Sequence, residues 1–148
     1  MRALMFGWEF PPHILGGLGT ASYGLTKGMA MQEDMDLVFV IPKPHGDEDQ
    51  SFVKIIGACN TPVVWRDVSW EHLESRFGSY MSPQDYYNMR DHIYADFRYL
   101  YTNDLGCIEF SGRYPDNLME EINNYSICAG VIARTEQHDI IHSWFQSI

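Results

Sequence analysis

A glycine-rich turn near the amino terminus carries the clearest chemical signal in the chain. Gly16, Gly17, Leu18 and Gly19 follow a short apolar run, Ala3–Phe6, and come just before an amphipathic pattern. Glycines let a backbone approach a ligand without a clash from Cβ, and a helix N-terminus offers unpaired N–H groups and a positive dipole end. The turn therefore predicts phosphate binding at these four residues. The alternative is a tight strand-to-helix turn with no ligand.

The spacing of the turn separates it from two common nucleotide-binding motifs. It is not G-x-G-x-x-G, and no Gly-Lys-Ser/Thr follows as in a P-loop. Its position after the first predicted strand is nevertheless where α/β folds bind nucleotides. That position favours the ligand-binding interpretation.

Three further side chains lie where predicted strands end. Glu9 follows the first strand, where a carboxylate would face a ligand crevice, and the alternative is a solvated loop acid. His13 precedes the glycine turn and is suited to bond a phosphate or a sugar hydroxyl, or is a loop histidine with no role. His142 ends the last strand, and the alternative there is a structural histidine bonded to backbone.

We expect no metal site. His138 and His142 are four residues apart, a spacing that suits a metal on a helix. On a strand, however, such residues lie roughly 13 Å apart. The three cysteines are too few and too scattered for a zinc site or a disulfide scaffold: Cys59, Cys107 and Cys128.

The elements that would position these residues predict an α/β domain. A predicted βαβ unit, which implies parallel strands, consists of strand Ala3–Phe6, a helix from Leu18 and strand Leu37–Ile41. The apolar face of that helix is predicted to be Leu18, Ala21, Leu25 and Met29.

The rest of the chain continues the pattern of strands and helices. Phe52–Ile56 and Pro62–Trp65 are predicted strands, possible partners in a hairpin because turn-type residues separate them. Pro83–Asn103 and Pro115–Gln137 have apolar residues at spacings of three or four, which predicts helices. His138–His142 is the last predicted strand.

Size and composition limit the class of protein. A chain of 148 residues suits one domain. A net charge of −10 argues against nucleic-acid binding and against anionic membrane surfaces. No signal peptide is evident, and no apolar run reaches the length of about 18 residues that a membrane span requires. The odd number of cysteines points to a reducing compartment. We therefore expect a cytoplasmic protein.

Three segments also carry a family resemblance. Residues 6–12, FGWEFPP, followed by the Gly16–Gly19 turn, resemble the amino terminus of bacterial glycogen synthases and starch-synthase-like glycosyltransferases. Leu37–Pro42 lies where that family has its second strand, and Asp139–Trp144 is similar to its strand ending in a His-rich acidic motif before a Trp.

The resemblance implies a fold and a reaction. The fold would be a Rossmann-like, largely parallel sheet with flanking helices, the amino-terminal half of a GT-B glycosyltransferase. The reaction would transfer glucose from ADP-glucose or UDP-glucose to an α-glucan with retention of configuration, without a cofactor or metal. Glu9 and His13 would lie on the acceptor side, and His142 would be the candidate catalytic residue.

Two positions depart from the family pattern. The family usually has a Lys two residues before the Gly-Gly pair, and here that position is Ile14. Its final motif has a second His and an Asp before the Trp, whereas Ser143 is followed directly by Trp144. His142 therefore matches the first His of the motif, which is not the one that carries catalytic work in the family.

The resemblance also implies a domain arrangement. Residues 1–148 would be a single acceptor-side domain, and the donor-binding carboxy-terminal domain, absent from this chain, would be its partner, so the isolated chain would be inactive. Its apolar residues at strand ends would then be exposed at an interface: Trp8, Phe10, Trp144 and Phe145. Two alternatives stay open: a stand-alone acidic α/β module that binds a nucleotide or phosphate without catalysis, and a regulatory domain with no small ligand.

Overall fold

Four parallel strands form the centre of the protein, as described by a computed structural model for residues 1–64, Gln84 and residues 102–144. The elements in chain order are β1 (Arg2–Phe6), α1 (Gly17–Ala30), β2 (Asp36–Ile41), β3 (Lys54–Gly57), a 3-10 turn (Ala58–Asn60), α2 (Leu118–Thr135) and β4 (Ile140–Ser143).

The strand order is β3-β2-β1-β4, and every neighbouring pair is parallel. Phe6 at the end of β1 pairs with Val40 on one side and Ser143 on the other, so these three strands finish at one edge of the sheet. The sheet and its helices confirm the predicted Rossmann-like α/β fold. The carboxyl edge is where such folds place ligands.

Each face of the sheet has its own apolar core, because successive side chains of a strand point to opposite faces. Leu4 and Phe6 of β1 pack with Tyr125 and Ile132 of α2. Ala3 and Met5 belong to the opposite cluster, on the face that α1 covers, together with buried residues of β2 and its neighbours: Phe10, Leu37, Phe39, Ile41 and Val53.

Helix α1 turns a different face to the sheet from the one predicted. Its buried residues are Gly19, Ser22 and Thr26, whereas Leu25 is 38% exposed. Thr26 packs beside Met5 and donates a hydrogen bond to the Ser22 carbonyl at 2.7 Å, so a buried hydroxyl is satisfied inside its own helix. Hydrophobic spacing failed here because small residues allow the helix close to the sheet.

The hairpin suggested for residues 52–65 does not form within residues 52–64. β3 pairs with β2 in parallel, and the chain leaves it through the 3-10 turn. Pro62 instead makes an isolated antiparallel bridge with Cys107, a contact distant in sequence. The turn-type residues at 57–61 therefore end β3 and redirect the chain. Trp65 lies outside the described residues.

In helix α2 the apolar residues at the predicted spacings face the core: Tyr125, Ala129 and Ile132 are buried, and Leu118 and Ile122 are partly buried. Asn117 is its N-cap residue and makes no side-chain capping bond. The helix predicted over 83–103 lies almost wholly outside the described residues; Gln84 is helical, and Asn103 is not.

Two of the four aromatic residues expected at an interface belong to the core. Trp8 is 7% exposed and Phe10 is 1% exposed, so the prediction that they are exposed is wrong. Both turn back from the end of β1, Trp8 against Tyr125 and Phe10 against Phe39. Trp144 is partly buried, and Phe145 lies outside the described residues.

No disulfide joins the three cysteines, all of which lie within the described residues. In the part of the chain that the structure describes, no helix is long and apolar enough to cross a membrane.

Candidate functional site

The candidate site lies at the carboxyl edge of the sheet, where loops leave β1 and β2. The first loop, residues 7–16, leads into α1, and the second, residues 42–53, leads into β3. A narrow cleft between these loops and the segment before α2 is lined by Trp8, Glu9, Phe10, His13, Ile41, Lys43, His45, Glu48 and Gly112.

Glu9 is the most constrained polar residue of this edge. One carboxylate oxygen accepts a hydrogen bond from the Leu15 N–H at 2.8 Å, and the other accepts one from the Gly16 N–H at 3.2 Å. Glu9 is only 7% exposed. Charge-assisted bonds to two backbone donors compensate the cost of burying a carboxylate. The carboxylate therefore holds the glycine-rich turn from within.

Two neighbours complete the surroundings of Glu9. A Cβ on Gly19 would lie 2.7 Å from the Glu9 carboxylate oxygen, so only glycine allows this approach. Tyr114 lies beside Glu9: burial raises the pKa of Tyr114, and the nearby Glu9 carboxylate raises it further. The predicted contact of Glu9 with sugar hydroxyls stays a prediction.

The start of α1 is open at Gly17, whereas Gly19 is buried against Glu9. A Cβ on Gly17 would meet no atom within 4 Å. The N-cap residue is Gly16, which has no side chain with which to cap the helix. The first N–H groups of a helix have no partner within the helix, so those of Gly17, Leu18 and Gly19 are the donors suited to an incoming ligand.

His13 joins the two loops. Its Nε2 lies 2.8 Å from an Asp47 carboxylate oxygen, and its ring stacks on His45 with centroids 3.8 Å apart. Both His13 and Asp47 are well exposed, so their ion pair contributes little stability. The contact fixes the position of the His13 ring beside the cleft.

A buried carboxylate shapes the second loop. Glu48 accepts hydrogen bonds from the backbone N–H groups of His45 and Gly46. Burial alone would raise the pKa of Glu48, but the backbone N–H bonds, together with the nearby His45, outweigh it and hold the pKa below its ordinary value. Glu48 thus stays charged and keeps the loop in the form that presents His45 to His13.

The segment before α2 closes the cleft from the other side. The indole N–H of Trp8 donates to the Arg113 carbonyl at 3.2 Å. The backbone N–H and hydroxyl of Ser111 both bond the carboxylate of Glu121, at 2.9 and 3.0 Å. These bonds hold the segment that contains Tyr114, whose ring centroid lies 6.4 Å from that of Trp8.

His142 lies on β4, beside Met5 in the register of the sheet and thus on the face that α1 covers. Its Nε2 is buried and has no hydrogen-bond partner among the described residues, and the same holds for the indole nitrogen of Trp144. The two rings meet edge to face at 5.2 Å. The catalytic assignment of His142 stays a prediction.

Sequence reasoning missed four residues of this edge: His45, Asp47, Glu48 and Tyr114. Three of them belong to the polar segment KPHGDEDQ that follows β2. The location of this segment after a predicted parallel strand could have marked it as part of the site, since the loops that follow parallel strands lie at the carboxyl edge of the sheet. Within the described ranges, no group of three His, Cys, Asp or Glu residues is arranged to hold a metal ion.

Comparison with protein families agrees with this arrangement. The chain matches the starch synthase catalytic domain family over residues 2–143. That match runs from β1 to the end of β4 and so includes the glycine-rich turn and both loops. Searches of curated proteins and of solved structures gave no significant match. The chain therefore belongs to the starch synthase catalytic domain family of glycosyltransferases.

Proposed function

We propose that this protein is the acceptor-side domain of a retaining, GT-B type glycosyltransferase that transfers glucose from a nucleotide-glucose to an α-glucan. The observation that carries the proposal is the family match over residues 2–143. The glycine-rich turn supports it, because it opens a helix at the carboxyl edge of a parallel sheet. The donor would be ADP-glucose or UDP-glucose, and no cofactor is required.

In this proposal the donor phosphates bind at the start of α1. Leu15 and Gly16 have their N–H groups bonded to Glu9, so the phosphates would meet Gly17, Leu18 and Gly19. Backbone donors aimed at the leaving diphosphate stabilise the charge that develops on it. Because Ile14 replaces the usual Lys, positive charge would come from a partner domain.

The acceptor would lie over the outer rim of the narrow cleft between the two loops, because a cleft of about 10 Å³ has room for only about one water molecule. His13 is well exposed there, and hydrogen bonding to sugar hydroxyls suits an imidazole held by Asp47. Glu9 would reach a sugar only if it gave up a bond to the turn. His142, near the end of β4, is the proposed catalytic residue.

The second candidate is an acidic α/β module that binds a nucleotide or phosphate without catalysis. The same open helix start supports it. Its ligand would be recognised by phosphate alone, so removing the glucose would leave the affinity unchanged.

Calorimetric titration of the purified chain with ADP-glucose, UDP-glucose, ADP and a maltooligosaccharide tests these proposals. We expect the maltooligosaccharide to bind. We expect one glucose nucleotide to bind weakly but more tightly than ADP, because a carboxy-terminal domain would supply the rest of the proposed donor site. Equal affinity for ADP and ADP-glucose, without glucan binding, would favour the module. Failure of every ligand to bind would contradict both candidates and favour a regulatory domain.

A further inference from the structure

The carboxylate of Glu9 is an anion placed just ahead of the start of α1. It approaches the Leu15 and Gly16 N–H groups just ahead of α1, and it does so as part of the chain. We propose that Glu9 is a positioning residue: an internal anion that holds the glycine-rich turn so that the N–H groups of Gly17, Leu18 and Gly19 face the donor. The inference rests on the proposed function.

The contacts of Glu9 indicate that its carboxylate stabilises the conformation of the glycine-rich turn. Both carboxylate oxygens are bonded to the turn, and Tyr114 lies beside the carboxylate. Glu9 is 7% exposed, so water contributes little to its solvation. Gly19 lies so close to Glu9 that a Cβ there would overlap the carboxylate. Four residues therefore enclose this one side chain.

Charge and positioning make opposite predictions, and this permits a decisive test. Glu9 adds negative charge close to the proposed phosphate site. If only its charge mattered, Glu9→Gln would strengthen donor binding. If Glu9 positions the turn, Glu9→Gln would weaken it, because a carboxamide has one acceptor oxygen and turns its NH2 group toward the other backbone N–H.

The experiment compares Glu9→Gln and Glu9→Ala with Glu33→Gln, a control that removes an exposed carboxylate at the far end of α1. We expect Glu9→Gln to lower the affinity for the glucose nucleotide about tenfold, as losing a hydrogen bond to a charged group does, and the control to change it little. Amide resonances of Leu15 and Gly16 should move upfield in both Glu9 variants. Formate should restore both the resonances and the affinity of Glu9→Ala, because it can refill the space.

A double-mutant cycle with Gly19 tests the contact itself. Gly19→Ala should weaken donor binding in the wild type, since its Cβ displaces Glu9, and should have almost no effect in Glu9→Ala. Additive effects would overturn the inference. So would unchanged or stronger donor binding in Glu9→Gln, or a failure of formate to act.

The outcomes separate this inference from the proposed function. If no glucose nucleotide binds the wild type, the proposed function fails and the positioning of a donor fails with it. The amide resonances would then still show whether Glu9 holds the turn. If the wild type binds donor and both Glu9 variants bind it equally well, only the positioning role is overturned. Should Glu9→Ala not fold, the isosteric Glu9→Gln and the single Gly19→Ala variant decide.

Discussion

The Tyr125 hydroxyl donates a hydrogen bond of 2.9 Å to the Val40 carbonyl, which also accepts the Gly7 N–H at 3.0 Å. One carbonyl near the end of β2 thus joins α2 to the first residue after β1. Tyr125 is 1% exposed, and its burial raises its pKa well above the ordinary value of a tyrosine. The bond fixes α2 relative to the carboxyl edge, where the candidate site lies.

Tyr125→Phe should lower the free energy of unfolding by about 1 kcal/mol, because it removes this buried hydrogen bond while keeping the ring. Urea denaturation would measure the change. Tyr23→Phe is the matched control, since Tyr23 is only partly buried and contacts Phe10 through its ring. Equal losses in the two variants would show that the bond to Val40 contributes nothing specific.

In the proposed complete two-domain enzyme, Gly17→Val should abolish most donor binding and leave the fold intact. A Cβ at Gly17 meets no atom within 4 Å, so no clash unfolds the domain, but the branched side chain covers the proposed phosphate site. Calorimetry with the glucose nucleotide and a thermal melt give the two readouts. Gly24→Val is the control, because Gly24 is equally open and lies farther along α1. Near-normal donor affinity in Gly17→Val would make the turn purely structural.

Acid should loosen the loop that contains Glu48. Its pKa is lowered in the folded state, so its stabilisation is present above the ordinary value of 4.5 and is lost as the pH falls through the folded pKa. We expect Glu48→Gln to lose about 1–3 kcal/mol at neutral pH and much less at about pH 3. Urea denaturation across this pH range measures both. A difference in unfolding free energy between wild type and Glu48→Gln that stays constant with pH would contradict a role for the Glu48 charge. The control is Glu109→Gln, at an exposed site.

His13→Ala should weaken glucan binding about threefold to tenfold, the effect of losing one or two hydrogen bonds to sugar hydroxyls. The measurement is the affinity for a maltooligosaccharide. His138→Ala is the control, because His138 bonds the Glu136 carbonyl near the opposite edge of the sheet. A loss of the same size in both variants would remove His13 from the acceptor site.

The chain of residues 1–148 should transfer no glucose by itself. One wall of a crevice cannot preorganise the charge stabilisation that departure of a nucleoside diphosphate needs. The assay follows incorporation of glucose from ADP-glucose and UDP-glucose into glycogen. Steady turnover by this chain would refute the proposal that the acceptor and donor sites lie on two different domains.

Local sequence patterns were sufficient to predict the elements whose apolar residues are contiguous or regularly spaced. The strands at Arg2–Phe6 and Asp36–Ile41 appear as continuous apolar runs because both of their faces are buried. Helix α2 has a stripe of large apolar residues, and it buries that stripe. The family resemblance rested on short segments at the ends of strands and is confirmed by the match over residues 2–143.

Other features depended on contacts distant in sequence. The face of α1 could not be predicted from hydropathy, because close approach to Glu9 and to the sheet selects Gly19, Ser22 and Thr26 over larger residues. The pairing of β3 with β2 depends on the sheet edge available after β2 has formed. Trp8 and Phe10 are buried by partners that lie up to 117 positions away, since Trp8 contacts Tyr125.

The sequence alone determined that the protein is an α/β domain with a glycine-rich turn before its first helix, because strand runs, glycines and helical spacing are local properties. Only the tertiary structure decided what that turn contacts. The Glu9 carboxylate reaches the Leu15 and Gly16 N–H groups, and His13 reaches Asp47, because the parallel sheet brings the ends of β1 and β2 to one edge. Hydrogen bonds form between groups that the fold brings within about 3 Å, and no spacing along the chain specifies that distance.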